Sequence, residues 1–149
     1  MEVPEAHGKE IHVFIAEMMG TCFLVYAVNM QAAFTGGFGV FGIAFTLFAM
    51  ILIWGNISGG NFNPAVTLGV LVSRPRDIGR NIVLFFVSTI AQFSGAFAGI
   101  GLAYICLWGW NNTCDERATA GFAVLAPVGL NTQGGAMITE TFCTFLFIS

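Results

Sequence analysis

The chain is predicted to be an all-α membrane protein: three full transmembrane helices, one re-entrant half-helix and the start of a fourth helix. Three observations predict this. Hydrophobic residues make up 56% of the 149 and charged residues only 9%, against roughly 25% charged in soluble domains. Between Glu10 and Arg74 the only acidic or strongly basic residue is Glu17, and that interval holds two spans and a short insert at about 20 residues per span. The third observation is the run Ser58-Gly59-Gly60-Asn61-Phe62-Asn63-Pro64-Ala65-Val66-Thr67, which places polar, helix-breaking residues directly after a membrane-length apolar segment. Lipid offers no hydrogen bonds, so open backbone at that depth survives only inside protein or facing a wet cavity.

Taken in order, residues 1–10 form a polar, acidic tail without the basic n-region and cleavage site of a signal peptide. The first span is therefore expected to be retained, over 11–33, followed by a turn at Thr35-Gly36-Gly37. A second helix is predicted over 38–54. Asn63-Pro64 reads as a helix start, because asparagine caps and proline occupies the first turn, where its missing N–H is not needed. The half-helix covers 64–72 and directs its positive dipole end toward the membrane midplane. A basic loop, Ser73-Arg74-Pro75-Arg76-Asp77, leads to a third helix over 80–108. There Ala91, Gly95, Gly99 and Ala103 recur four apart, a small-residue face that lets another helix approach closely. Residues 110–133 read as a polar loop, and a fourth helix begins near Ala136.

Orientation follows from where the basic residues fall. Of five, Lys9, Arg74, Arg76 and Arg80 lie on one side and Arg117 on the other, so the N-terminal tail and the 73–77 loop are expected in the cytoplasm. Asn111-Asn112-Thr113 is a glycosylation sequon on the predicted outer loop, consistent with a plasma or other secretory-pathway membrane. The match at Asn56 lies at membrane depth and is set aside.

Composition and motif content narrow the function. A net charge of −3 spread over a few loops leaves no basic patch for nucleic acid. Cys22, Cys106, Cys114 and Cys143 show neither CxxC pairing nor histidine neighbours at metal spacing, so no disulfide, metal or cofactor is expected. No Ser/His, Cys/His or paired-Asp constellation points to an enzyme.

Glu17-Met18-Met19-Gly20-Thr21 in the first helix has an echo in Glu140-Thr141-Phe142-Cys143-Thr144. Each opens a transmembrane helix, and the intervening spans put the second copy in the opposite sense across the membrane. Inverted repeats with discontinuous helices are a transport architecture. An intramembrane carboxylate is costly and by default has a partner or a function. Glu17 and Glu140 have two readings: a proton or ion relay, or acceptors for backbone N–H groups of the irregular segments. The second is favoured, because half-helix loops need such acceptors.

These residues together resemble the major intrinsic protein family, the aquaporins and glycerol facilitators. The resemblance is carried by Glu17 with Gly20-Thr21, by the stretch from Gly55 through Ser58-Gly59-Gly60, Phe62-Asn63-Pro64-Ala65-Val66-Thr67 and Gly69, by Ala91-Gln92 with Gly95-Ala96, and by Glu140 with Thr144. It runs over 11–149, an aquaporin-like transmembrane domain comprising a first repeat and the start of the second. It implies a six-helix bundle in which two half-helices meet at the midplane, each capped by Asn-Pro-Ala. Only Asn63-Pro64-Ala65 occurs in these 149 residues.

What the resemblance implies for function is a passive channel for water or small neutral solutes such as glycerol, completed by a second half, usually within a homotetramer in the lipid bilayer. That half is a C-terminal continuation, a separate chain or an inverted second copy. A non-conducting structural subunit of a membrane assembly is the alternative. The implied solute contacts are the Asn63 amide, the Pro64-Ala65 helix start and the backbone carbonyls of Gly59, Gly60, Asn61 and Phe62. Gln92 is implied to buttress the loop. Asn61 stands where family members usually have histidine. The outer constriction takes a residue of the second helix: counting back from Asn63 makes it Ile43, the reading favoured here, whereas the local pattern Gly42-Ile43-Ala44-Phe45 suggests Phe45. Asn29 and Gln31 are expected at the membrane interface.

Overall fold

The computed structural model describes residues 9–33, 39–73 and 78–108. All regular structure in them is helical: α1 Glu10–Ala33, α2 Gly39–Ser58, α3 Pro64–Ser73 and α4 Ile78–Trp108. Residues 1–8 of the tail, the turn at 35–37, the arginines of the basic loop, the sequon at Asn111 and the fourth helix with Glu140 lie outside the described residues.

Helices α1, α2 and α4 are long and apolar enough to cross a membrane. With 10 residues, α3 is about 15 Å long, roughly half the hydrocarbon thickness. The chain is an integral membrane protein with three spans and one short helix among the described residues.

Contact positions give the directions. Gly95 of α4 lies against Met18 and Cys22 of α1, and Gly99 against Cys22 and Tyr26. Contacts therefore advance together along both helices, and α1 and α4 run parallel. At the other end of α1, Gln31 rests on Gly39 and Gly42 in the first turns of α2, so α2 is antiparallel. It descends to Ser58, and α3 then packs against α4.

Apart from Val13 and Phe62, the buried residues are small or polar. Val13, Ala16, Phe62, Ala91 and Ala103 are the buried apolar residues, alongside Glu17, Thr21, Asn29, Ser58, Thr67, Ser88 and Gln92. Large apolar side chains such as Phe41, Phe45, Phe48, Phe86, Phe93 and Phe97 point outward. Lipid is as apolar as they are, so nothing drives them inside. Helix association rests instead on close backbone approach and polar contacts.

Helix α2 continues four residues beyond the predicted end at Trp54. Gly55 is no break here: its carbonyl accepts from Gly59 N at 2.9 Å, and the helix stops only where Gly59 turns to φ 92°.

Candidate functional site

The loop between α2 and α3 carries the least regular backbone of the described chain. Gly59 and Gly60 have φ of 92° and 67°, conformations glycine adopts without steric cost. Ser58 Oγ accepts from Gly60 N at 3.1 Å, tightening this turn. Phe62 also sits at positive φ, 48°, which costs a non-glycine residue about 1–3 kcal/mol and persists only where the surroundings enforce it.

Those surroundings come from α1. Phe62 N donates to Glu17 Oε2 at 2.7 Å, and Asn61 N donates to Glu17 Oε1 at 3.0 Å. Thr21 Oγ1 reaches Phe62 O at 3.4 Å. The Phe62 ring lies so close to Gly20 that a Cβ there would overlap it. One helical turn of α1 thus meets the amide, carbonyl and side chain of a single strained residue.

A second support comes from α4. Gln92 Nε2 donates to Glu17 Oε2 at 2.7 Å and to Thr67 Oγ1 at 2.9 Å. Thr67 Oγ1 in turn donates to Asn63 O at 3.0 Å, beside the helical bond from Thr67 N to the same carbonyl. Glu17 is fully buried and Gln92 is 1% exposed. The carboxylate is met by three N–H donors, two from the loop backbone and one from Gln92. Without such partners, burying it would be prohibitively unfavourable.

On the exposed side of this frame stands Asn63. Its Oδ1 accepts from Ala65 N at 2.8 Å, capping α3. With Oδ1 committed to that bond and the residue exposed, the Nδ2 hydrogens of the amide are its remaining donors. Ala65 is exposed, and Pro64, Asn61, Gly60 and Gly59 are half-buried. The Phe62 side chain is buried, so only its backbone is available to a solute, and its carbonyl already faces Thr21. Ile43 is half-buried on α2, about 22 Å along the helix from Ser58 at 1.5 Å per residue. The structure therefore brings Glu17, Gln92, Asn61, Phe62 and Asn63 together and leaves Ile43 at another level.

Thr21, Ser58 and Thr67 acquire bonding roles that the motif did not assign them. Spacing carried a signal for two: Thr21 lies four residues after Glu17, and Thr67 four after Asn63, each pair on one helix face. Asn29 is buried within the protein. It is 5% exposed, and its Nδ2 donates to Val25 O at 2.8 Å, its own helix supplying the partner that water would have given. Gln31 lies against Gly42, where a Cβ would come within 2.7 Å of its Nε2.

This arrangement presents a helix N-terminus and an exposed asparagine, held from behind by buried carboxylate and amide groups. The chain is 34% identical to Aquaporin Z of Brucella melitensis over 143 residues, covering 89% of this chain and 60% of the relative. It is 37% identical to human Aquaporin-5 over 105 residues, covering 70% and 35% respectively. A probable aquaporin of Oryza sativa, PIP2-7, is 31% identical over 135 residues, covering 76% and 45%. The chain thus spans at most about three-fifths of the length of these relatives. No solved structure matches. The family model for major intrinsic protein matches residues 5–149, nearly the whole chain, and the chain belongs to that family.

Proposed function

We propose that this chain forms one half of a passive membrane channel for water and small neutral solutes such as glycerol, conducting when a second half completes the pore. Members of the family are membrane channels, not enzymes. The observation that carries the proposal is Asn63, an exposed residue whose Oδ1 is held by Ala65 N, which leaves its Nδ2 hydrogens as donors for a solute.

The chemistry follows from the polarity of the patch. Asn63 Nδ2 donates to the oxygen of an arriving water or alcohol. Its hydrogens then point toward acceptors, supplied by the carbonyls of Gly59, Gly60 and Asn61, with that of Phe62 shared with Thr21. The N-terminal end of α3 carries about half a positive charge, which repels cations, hydronium included, and leaves neutral solutes unaffected. Asn61 places a neutral amide in the loop, so no imidazole charge arises at this position. Ile43 lines the outer constriction with an aliphatic side chain, which admits solutes larger than water.

In the cell the N-terminus and the 73–77 loop face the cytoplasm of a plasma or other secretory-pathway membrane, and the assembled form is a tetramer or a pairing with a complementary half. The test is stopped-flow osmotic shrinkage of liposomes containing the chain, alone and with a complementary C-terminal half. Asn63→Asp puts a fixed negative charge where the donor stood and is expected to lower the water permeability at least tenfold. Unchanged permeability removes Asn63 from the path. No permeability in either preparation of well-folded protein makes the chain a structural subunit.

A further inference from the structure

The polar cluster behind the loop does not close on itself. Gln92 Nε2 serves both Glu17 and Thr67, which settles the orientation of the amide, because a carboxylate oxygen requires a donor opposite it. Gln92 Oε1 is thereby turned the other way, buried, and without a hydrogen-bond partner among the described residues. One turn earlier on α4, Thr89 Oγ1 is also buried and also without one. Two such atoms on one helix at membrane depth are unusual, since more than nine in ten buried polar groups in folded proteins are satisfied.

Their positions are related. Residues three apart on a helix are neighbours, with Cβ atoms about 5–6 Å apart. Long helical side chains lean toward the N-terminus, over the preceding turn, and this carries the Gln92 amide toward Thr89. A carbonyl oxygen can only accept, whereas a hydroxyl both donates and accepts. The molecule that satisfies both must donate at least one hydrogen and be small enough for a packed interior. Water does so with two polar partners, the minimum that a buried water needs.

We propose that Gln92 Oε1 and Thr89 Oγ1 hold a buried water molecule between them, on the far side of the Glu17–Gln92–Thr67 cluster from Asn63. It is a resident of the protein and separate from any conducted solute. One O–H points to Gln92 Oε1, and the Thr89 hydroxyl bonds to the same molecule. By occupying the Gln92 carbonyl, it leaves the amide N–H groups committed to Glu17 and Thr67, and so steadies the loop from behind. The site requires no particular channel activity and stands apart from the transport reading.

The experiment is a crystal structure of the protein grown from a lipid mesophase, at a resolution that shows ordered waters. A peak within hydrogen-bond distance of both Gln92 Oε1 and Thr89 Oγ1 is expected. Well-ordered side chains with no peak between them overturn the proposal. So does a protein N–H or O–H bonded to Gln92 Oε1, from a second half of the channel or from the remainder of this chain. In Thr89→Val, nearly isosteric but without the hydroxyl, the peak is expected to vanish or fall at least twofold in occupancy while Gln92 keeps its bond to Glu17. A peak unchanged in place and occupancy overturns the site as assigned. Should Thr89→Val fail to fold, the wild-type map decides alone, and Thr89→Ser, which retains the hydroxyl, is expected to retain the peak.

Discussion

Among the described helices, α1 packs against α4 and α2, and meets them in different ways. Against α4 it packs backbone to backbone: a Cβ on Gly95 would lie 3.0 Å from Met18 C and 3.1 Å from Cys22 N, and one on Gly99 would lie 3.1 Å from Tyr26 N. Glu17 and Gln92 are bonded across the same seam. Against α2 it leaves an open groove of about 500 Å³, lined by Phe23, Tyr26, Met30, Phe45, Ala49 and Met50 among others. Both neighbours are apolar and long enough to span a bilayer, so hydrophobicity does not separate them. The difference lies in side-chain size and in polar groups. In lipid these two decide which helix faces come together, whereas apolar content decides only that a helix is in the membrane.

The sharpest way to break this contrast is Gly95→Leu. The new side chain would meet backbone of α1 that cannot yield, and an overpacking cost of about 3 kcal/mol or more is expected. In detergent this should appear as loss of the monodisperse folded species. A variant as stable as wild type would mean that the seam is looser than the geometry states.

Glu17→Gln tests the polar half of the seam. A carboxamide offers one acceptor oxygen where the carboxylate met three N–H donors, leaving at least one buried donor unsatisfied at a cost of about 2 kcal/mol. Lower folded yield is expected. Normal yield with abolished transport would instead make Glu17 a relay.

Ile43→Phe probes α2 away from the loop. Permeability to glycerol is expected to fall more than that to water, on the order of tenfold in their ratio for a pocket narrowed by an aromatic ring. Equal effects on both solutes would remove Ile43 from the constriction. The smallest effect is expected from Ala49→Leu, which adds methyl groups to the open groove, and thermal unfolding should register no more than about 0.5 kcal/mol. A destabilisation matching that of Gly95→Leu would erase the distinction between the two seams.

Much of this was legible in the chain. Composition placed it in a membrane, and apolar runs located α1, α2 and α4. Asn63-Pro64 marked the start of α3 to the residue, because a cap and a proline are local signals that need no partner. The end of α2 was less legible. Gly55 looks like a stop, yet the helix ends only at Ser58, since glycine permits a break without imposing one. The burial of Asn29 was not legible, because its Nδ2 donates to a carbonyl of its own helix, and a polar residue satisfied in that way leaves no trace in the hydropathy pattern.

By itself, then, the sequence determined that this is a membrane protein, where the bulk of α1, α2 and α4 runs, and that a capped short helix begins at Pro64. Those properties depend on residues near one another in the chain, through apolar run length, capping and the φ preferences of proline and glycine. Only the tertiary structure decided that Phe62 is held at φ 48° by a carboxylate 45 residues earlier, and that Gln92 ties that carboxylate to Thr67. It also decided that α1 meets α4 through backbone and α2 across a groove. These contacts join residues far apart in the chain, and a buried polar group is satisfied by whichever partner the packing of three helices brings within about 3 Å.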